Sequence, residues 1–437
     1  MDINQLVKNL SDLVWGWPLL IFVVGSAVFT TFFLNFVQIR YFFKAWKSVL
    51  MPDRSAKLVG EMTPFQAFVN AISASVGNGS IAGMATAVAA GGPGAAFWVF
   101  IFGLFGMALR FSEVFLATNY PAASATVMGG PLLYLTKVPG RKFLPYFYAF
   151  FALWLGLATG NAMQANSIRI GLARITGLQP LVIAFILLAF ICYVILGGAR
   201  RIVRVNEYIV PIKIGLFFST SIIALIYHYQ MIGHALNLIM VGAFNPAAIM
   251  GAGAGIALQQ TMRLGIVRGI NASEAGIGTA AIFFGSTGVR EPVKNGSMSM
   301  IGSFLTANLV CFFITLIIVA SGAWDNGQTS LDLTITAYES VFGTFGGWIV
   351  TFLSISFGMG TLVAYAYLSR ACWLYLSNGR FESVFKFIYC AATFAGALAA
   401  VEVVWNLTDI ANAGMLIANL FGILWLLPTI RKDVVAK

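Results

Sequence analysis

The chain has 437 residues, of which 59% are hydrophobic and 9% charged, a composition that excludes an ordinary soluble domain. Its formal net charge is +11, but the basic residues sit in short loops between long apolar stretches, where they report topology and contact with anionic lipid. The expectation is one all-α polytopic membrane domain over 1–437, with the lipid bilayer as its surroundings and no nucleic-acid partner.

Eleven apolar segments of spanning length follow one another, at 14–37, 63–90, 93–119, 146–173, 178–197, 204–229, 248–287, 292–321, 345–376, 383–402 and 408–429. The first is too long for a signal-peptide core and lacks a basic start and a cleavage motif, so it reads as a helix. With the basic loop that follows, it fills 1–60 as an extra N-terminal helix. The second contains Ser-Ala-Ser-Val-Gly-Asn-Gly-Ser-Ile-Ala-Gly at 73–83. Gly77 and Gly79, flanked by hydroxyls and an amide, should interrupt the helix there, and unwound backbone survives in a bilayer only where it is buried in protein or lines a cavity. In the third, Arg110 and Glu113 are three apart and read as an ordinary ion pair. The fourth places Asn161 and Gln164 on about the same helical face. In the sixth, Lys213 lies nine residues after Arg204, about 14 Å along a helix and near the bilayer centre. An amine there must be paired, neutral or in a wet cavity. The seventh is broken at 273–278, Ser-Glu-Ala-Gly-Ile-Gly.

Each broken segment opens a group of five spans, 61–230 and 245–430. Matching Gly-interrupted segments in two halves point to an inverted repeat with its site at the midplane. Basic residues occur in alternate loops: Arg40 to Lys57, Lys137 to Lys142, Arg200 to Arg204, Arg290 and Lys294, Arg370 to Lys386, and Arg431 to Lys437. The loops near 91, 235, 325 and 405 carry none, so the N-terminus is expected outside and the C-terminus in the cytoplasm. The four cysteines fall within spans at no metal-ligand spacing, and His228 and His234 share an outer loop.

Many stretches in order resemble the alanine or glycine:cation symporter family. They are Thr63-Pro-Phe-Gln-Ala, Val76-Gly77 with Gly79 and Ile81-Ala-Gly, Gly91-Gly-Pro-Gly-Ala with Phe97-Trp98, Gly106-Met-Ala with Glu113, and Gly160-Asn161 with Gln164-Ala-Asn166. Ile195-Leu-Gly-Gly, Arg201-Ile-Val-Arg-Val, Ala243-Phe-Asn-Pro, Arg268-Gly269, Glu274-Ala-Gly276 with Gly278, Val341-Phe-Gly-Thr and Asp409-Ile-Ala-Asn-Ala continue the series. The resemblance implies a leucine-transporter-type fold, five plus five helices with two broken ones, and sodium- or proton-coupled uptake of small neutral amino acids across the plasma (inner) membrane. The departures fall at the implied site. Ser75, Asn78 and Ser80 differ from the family's Ser-Ala-Thr-Val-Gly-Thr-Gly-Asn, Ala272 and Ser273 from its Ser-Asn before the glutamate, Gly360 replaces a hydroxyl residue, and Tyr365 stands where Trp is usual.

A zwitterionic substrate has to be met on two sides. Its carboxylate suits the freed amides of Gly77, Asn78 and Gly79. Its ammonium suits freed carbonyls near Gly276 and Gly278 and hydroxyls such as Ser75 or Ser273. Asn161 and Gln164 are read as substrate contacts or as helix–helix hydrogen bonds, and Tyr365 as closing over the substrate or simply packing. The resemblance places a sodium ion on oxygens around Ser73 and Val76 and on the ninth span, where Thr361 remains and Gly360 has lost its hydroxyl. Family members usually have an apolar residue at Lys213, whereas some proton-coupled transporters of the wider fold hold a lysine amine where sodium would sit. Loss at Gly360 and gain at Lys213 would compensate each other. Glu274 is read first as an anchor capping freed N–H groups. Arg268, with Arg263, forms an outer gate with Asp409 or contacts lipid headgroups. The expected activity is cation-coupled symport of a small amino acid by alternating access, without a cofactor other than a bound sodium ion. The alternatives are a proton-coupled or sodium-independent carrier or exchanger using Lys213, or a carrier of another small zwitterion or amine. No His–carboxylate pair, thiol nucleophile or metal spacing favours an enzyme, and the polar residues gather at two breaks instead of lining a continuous pore.

Overall fold

The computed structural model describes residues 14–52, 60–120, 129–245, 258–399 and 401–435, with side chains omitted for 401–407. Arg54, Lys57, Pro246, Lys437 and the 248–257 stretch of the seventh predicted segment lie outside the described residues. Among the described residues the chain is helical throughout, without a strand. Five helices are long and apolar enough to cross a bilayer by length and composition: Ala95–Asn119, Gly198–Tyr227, Pro292–Ala320, Phe345–Leu376 and Thr408–Val435.

Helix α1 spans Trp17–Phe33 and the short amphipathic α2 spans Phe42–Leu50. The first broken segment begins with α3 (Pro64–Ser75). Its start is a capping box: Thr63 Oγ1 accepts from Gln66 N at 3.2 Å while Gln66 Oε1 accepts from Thr63 N at 2.9 Å, with Pro64 preset for the first turn. The helix stops at Ser75 and resumes as a π-helical turn, Gly79–Gly83, leading into α4 (Met84–Gly91). Helix α5 (Ala95–Asn119) follows. Next, α6 (Leu144–Leu157) and α7 (Met163–Thr176) are joined by a π-helical turn at Ala158–Ala162, so the fourth predicted segment is one rod with a bulge. Helices α8 (Pro180–Leu196) and α9 (Gly198–Tyr227) come next.

The second broken segment is α11 (Leu258–Ser273) and α12 (Thr279–Gly285). Between them Glu274, Gly276 and Gly278 have φ of +49°, +83° and +91°. Glycine takes such angles freely, whereas a glutamate does so only when its surroundings hold it. Helices α13 (Pro292–Ser303) and α14 (Phe312–Ala320) flank a π-helical stretch at Phe304–Cys311. Helices α16 (Phe345–Leu376), α17 (Glu382–Leu398) and α18 (Val401–Val435) complete the chain.

Among the described residues, helices of nine residues or more stand where the sequence reading left loops at α2, α10 (Tyr229–Phe244) and α15 (Ser330–Phe342). All are shorter than a span, and hydropathy at membrane length passes over them.

Two helices organise the packing. Helix α5 gathers α11, α12 and α13, and α16 gathers α6, α7 and α9. Helix α3 lies between these sets, against α12, α9 and α16. Ahead of α3, Glu61 N donates to Ser286 O at 3.0 Å just past α12, and its carboxylate accepts from Tyr367 Oη at 2.5 Å and Arg370 Nη1 at 3.4 Å, both on α16. Arg370 Nε also donates to Glu382 at 3.0 Å.

Candidate functional site

The two breaks meet. Ser75, the last residue of α3, donates from its hydroxyl to Glu274 Oε2 at 3.1 Å, across 199 residues of sequence. Glu274 Oε2 also accepts from Thr279 Oγ1 at 2.5 Å, and Oε1 accepts from Tyr365 Oη at 2.7 Å. The carboxylate therefore ties the first break, the second break and α16 together, and all three hydroxyls donate to it.

Glu274 does not cap the freed amides, and this corrects the sequence reading. Glu113 does so from α5: its Oε2 accepts from Gly276 N and Gly278 N, both at 3.1 Å, and from Asn419 Nδ2 at 3.3 Å. Glu274 follows the last turn of α11 in left-handed conformation and projects towards Ser75, whereas Glu113 approaches from behind the break. Arg110 and Glu113 form the expected ion pair, but a buried one that serves the second break. Their side chains are 1% and 0% exposed and 3.2 Å apart, and Arg110 also donates to Glu274 O at 3.2 Å, Thr279 Oγ1 at 3.4 Å and Ser75 Oγ at 3.4 Å. A charged pair in a span is by default functional or structural glue, a signal the sequence reading underweighted.

Lys213, on α9, is fully buried. Its ammonium donates to Val76 O at 2.8 Å and Ser73 O at 3.2 Å, and lies 3.5 Å from Ser73 Oγ. It also stands over the Phe357 ring at 5.6 Å. Thr361 Oγ1 donates to the same two carbonyls, at 2.9 Å to Ser73 and 3.3 Å to Val76. Ser73 Oγ is held by Asn206 Oδ1 at 2.9 Å. A Cβ on Gly360 would stand 2.7 Å from Ser73 Oγ and 2.9 Å from Lys213 Nζ, so the ammonium and a side chain at 360 compete for one volume.

A cavity of about 50 Å³ lies beside both breaks, room for a few waters or a small solute. Of the anticipated substrate residues, Ser75, Gly77, Gly79, Gln164 and Tyr365 line it, as do Thr361, Arg268 and Glu274. Asn78, Asn161, Ser273, Gly276 and Gly278 do not, each for its own reason. Asn78 turns towards Gln164 and Ser354. Asn161 donates to Tyr389 O at 2.8 Å. Ser273 bonds back to Gly269 O at 2.7 Å and caps Ala275 N at 3.2 Å. Gly276 O is taken by Asn419 Nδ2 at 2.8 Å, and Gly278 packs against Tyr148 and Pro131. The adjacent carbonyl of Ile277 accepts from Tyr148 Oη at 3.0 Å. The carbonyls of Gly276 and Ile277 thus each hold a donor already, and Glu274 brings a carboxylate to the cavity lining.

The sequence reading missed Thr159, Met163, Asn271, Thr408 and Asn412 in the lining. Thr159 pairs with Thr408 at 2.8 Å and Asn412 with Asn271 at 2.9 Å, and Arg268 is in electrostatic contact with Asp409. Thr408 and Asn412 on α18 thereby line one wall, and Asp409 beside them faces Arg268. A larger open depression of about 560 Å³, between Ala89–Ala90 and the loop at 324–329, shares no lining residue with this cavity.

Comparison with known proteins places this geometry in context. The profile of the sodium:alanine symporter family matches residues 1–436. A sodium/alanine symporter of Methanococcus maripaludis is 32% identical over 436 residues, covering 98% of this chain and 95% of its own. An uncharacterized transporter of Haemophilus influenzae is 32% identical over 439 residues, covering 99% and 96%. The crystal structure of a manganese transporter from Eremococcus coleocola matches 83% of this chain and 79% of that one with a TM-score of 0.50 at 14% identity, a likeness of fold alone.

Proposed function

The chain belongs to the sodium:alanine symporter family, and on that premise we propose that it carries small neutral amino acids of the alanine or glycine type by alternating access, coupled to a proton through Lys213 and not to sodium. It is an integral membrane transporter and not an enzyme. The architecture that goes with this reading is the eleven-span, leucine-transporter-type one. It has an extra helix in 1–60, a first repeat in 61–230 and an inverted second repeat in 245–430, with the N-terminus outside and the C-terminus in the cytoplasm. The support is that the two broken segments open the two halves and meet at one cavity.

The observation that carries the coupling is the Lys213 ammonium on the carbonyls of Val76 and Ser73, at 2.8 and 3.2 Å. A hard cation needs several oxygen ligands. Here those oxygens are engaged by the ammonium and the Thr361 hydroxyl, and a sodium ion at the same carbonyls would meet a like charge at close range in a low dielectric. Four charged residues are fully buried among the described residues: Arg110, Lys213, Glu113 and Glu274. Their formal charges cancel, so a neutral zwitterion can enter without leaving an unbalanced charge. Loss of the Lys213 proton would remove the positive charge from the carbonyls of Ser73 and Val76 and weaken the tie between α3 and α9, leaving the bonds of Asn206 to Ser73 and Asn70 between them.

The substrate carboxylate would lie at the start of the Gly79–Gly91 helix, against the amides of Gly77 and Gly79 and one N–H of Gln164. The ammonium would lie against Glu274. Uptake of radiolabelled alanine into proteoliposomes, with sodium and pH gradients imposed separately, tests the reading. An acid-outside gradient should drive accumulation and a sodium gradient should not. Uptake driven by sodium alone, steeply dependent on it and retained in Lys213→Met, would reject the proton reading in favour of the sodium coupling named for the Methanococcus relative.

A further inference from the structure

Gln164 can face its neighbours in only one way. Its Oε1 accepts from the backbone N of Asn78 at 3.1 Å, and its Nε2 donates to the backbone O of Thr159 at 3.0 Å. A backbone N–H can only donate and a carbonyl can only accept, so these two groups decide which end of the amide points where. Oε1 also accepts from Asn78 Nδ2 at 3.2 Å. Both its lone pairs are then used, and what remains for the cavity is the second hydrogen on Nε2.

Asn78 is itself socketed. Its Oδ1 accepts from Ser354 Oγ at 2.7 Å, and it is 0% exposed. A Cβ on Gly358 would fall 2.7 Å from Asn78 Nδ2 and 2.8 Å from Ile168 Cδ1, so the bare backbone of α16 at that position makes room for the amide. Ser354 and Gly358 are four apart and share one helical face. The cavity, the Gln164 amide and this face of α16 are thereby linked by a chain of directed hydrogen bonds: Ser354 to Asn78 to Gln164 to Thr159.

We infer that Asn78 is a positioning residue which acts through Gln164, holding one amide N–H towards the substrate's carboxylate, with Ser354 and Gly358 as its support. Substrate never touches Asn78. Without the Asn78 side chain, Gln164 keeps its orientation through Asn78 N and Thr159 O but loses one of three anchors, so Oε1 regains a lone pair and the Nε2 hydrogen aimed at the site is held less firmly. The role concerns affinity for the carboxylate end and not the Lys213 end, because no bond in the chain reaches Lys213, Ser73 or Val76.

This rests on the amino-acid reading above, and the experiment separates the two. Full-length Asn78→Ala, Ser354→Ala, Gln164→Ala and the double variant Asn78→Ala/Gln164→Ala are reconstituted, and concentration-dependent uptake and equilibrium binding of radiolabelled alanine are measured. Asn78→Ala should raise KM and Kd about tenfold, the scale of one well-made hydrogen bond in a dry site, with the maximal rate and the pH dependence unchanged. In the Gln164→Ala background the same change should add less than twofold. Ser354→Ala should give a smaller rise in KM, and Gly358→Ala should resemble Asn78→Ala. Equal losses from Asn78→Ala with and without Gln164 would overturn the inference, as would a fall in maximal rate with KM unmoved. Should Asn78→Ala not fold, Ser354→Ala alone decides: an unchanged KM and Kd would overturn it. A wild-type protein that neither binds nor carries alanine or glycine would instead refute the amino-acid reading, and the inference with it.

Discussion

Glu113 and Glu274 are both carboxylates beside the second break, and their work divides by direction of approach. Glu113 receives two backbone amides and Asn419 from behind, while Glu274 receives three hydroxyls in front. Removing one member of a buried, hydrogen-bonded charge pair costs about 3–5 kcal/mol. Glu113→Gln leaves Arg110 without its counter-charge and should lower the melting temperature of the purified protein in detergent by several degrees while abolishing uptake. An unchanged melting temperature would show that the break does not depend on this carboxylate. The residue types at the site were readable from the sequence because a lysine, a glutamate and paired glycines inside apolar segments need a reason to be there. Their partners were not, since hydrogen bonds between residues 113 and 276, or 78 and 354, depend on how distant helices pack. Asn78 shows the limit: the motif marks it as unusual, but whether its side chain enters the cavity or turns away is set by the backbone angles of the break.

At the scale of elements, the helix interruptions were legible because glycine and unpaired backbone in an apolar segment leave few alternatives. The start at residue 63 was legible as the edge of an apolar segment, although its capping box is a finding of the structure. Helices α10 and α15 were not, being too short to register as spans, and the π-helical turns at Ala158–Ala162 and Phe304–Cys311 leave no local mark that distinguishes them from α-helix. The start of α3 has a further consequence. Glu61 joins it to the exit of α12 through Ser286 and to α16 through Tyr367 and Arg370, so the start of the first broken segment and the end of the second are clamped to one rod. Opening that side has to break this clasp. Glu61→Gln keeps the shape and removes the charge. In a background lacking the native cysteines, it should speed modification of Thr287→Cys, a buried position next to the clasp, by a polar thiol reagent added to the purified protein in detergent. Equal labelling rates with and without Glu61→Gln would show that the clasp does not govern opening.

Across the whole molecule, the proposed coupling turns on whether the carbonyls of Ser73 and Val76 hold an ion from solution or one from the chain. Lys213 approaches from α9, Thr361 and Gly360 from α16, and the carbonyls from the first break, so three elements far apart in the sequence converge on one charge. On the proposed reading, discharging the site weakens the tie of α3 to α9 while Thr361 keeps its hold from α16, so that a local proton acts on one side of α3. The crowding around Gly360 makes the arrangement testable by exchange. Gly360→Ser alone puts a side chain 2.9 Å from the ammonium and should depress uptake at every pH. Lys213→Ala alone should bind alanine but lose its response to a pH gradient. Combining Lys213→Ala with Gly360→Ser removes the charge and adds a hydroxyl beside Thr361 and the two carbonyls, a set of oxygens suited to a hard cation. The double variant should recover uptake that rises with sodium concentration and follows a sodium gradient. If it binds alanine as tightly as the wild type and still ignores sodium, the carbonyls of Ser73 and Val76 are not the coupling site, and the ammonium of Lys213 serves only to hold the first break in place.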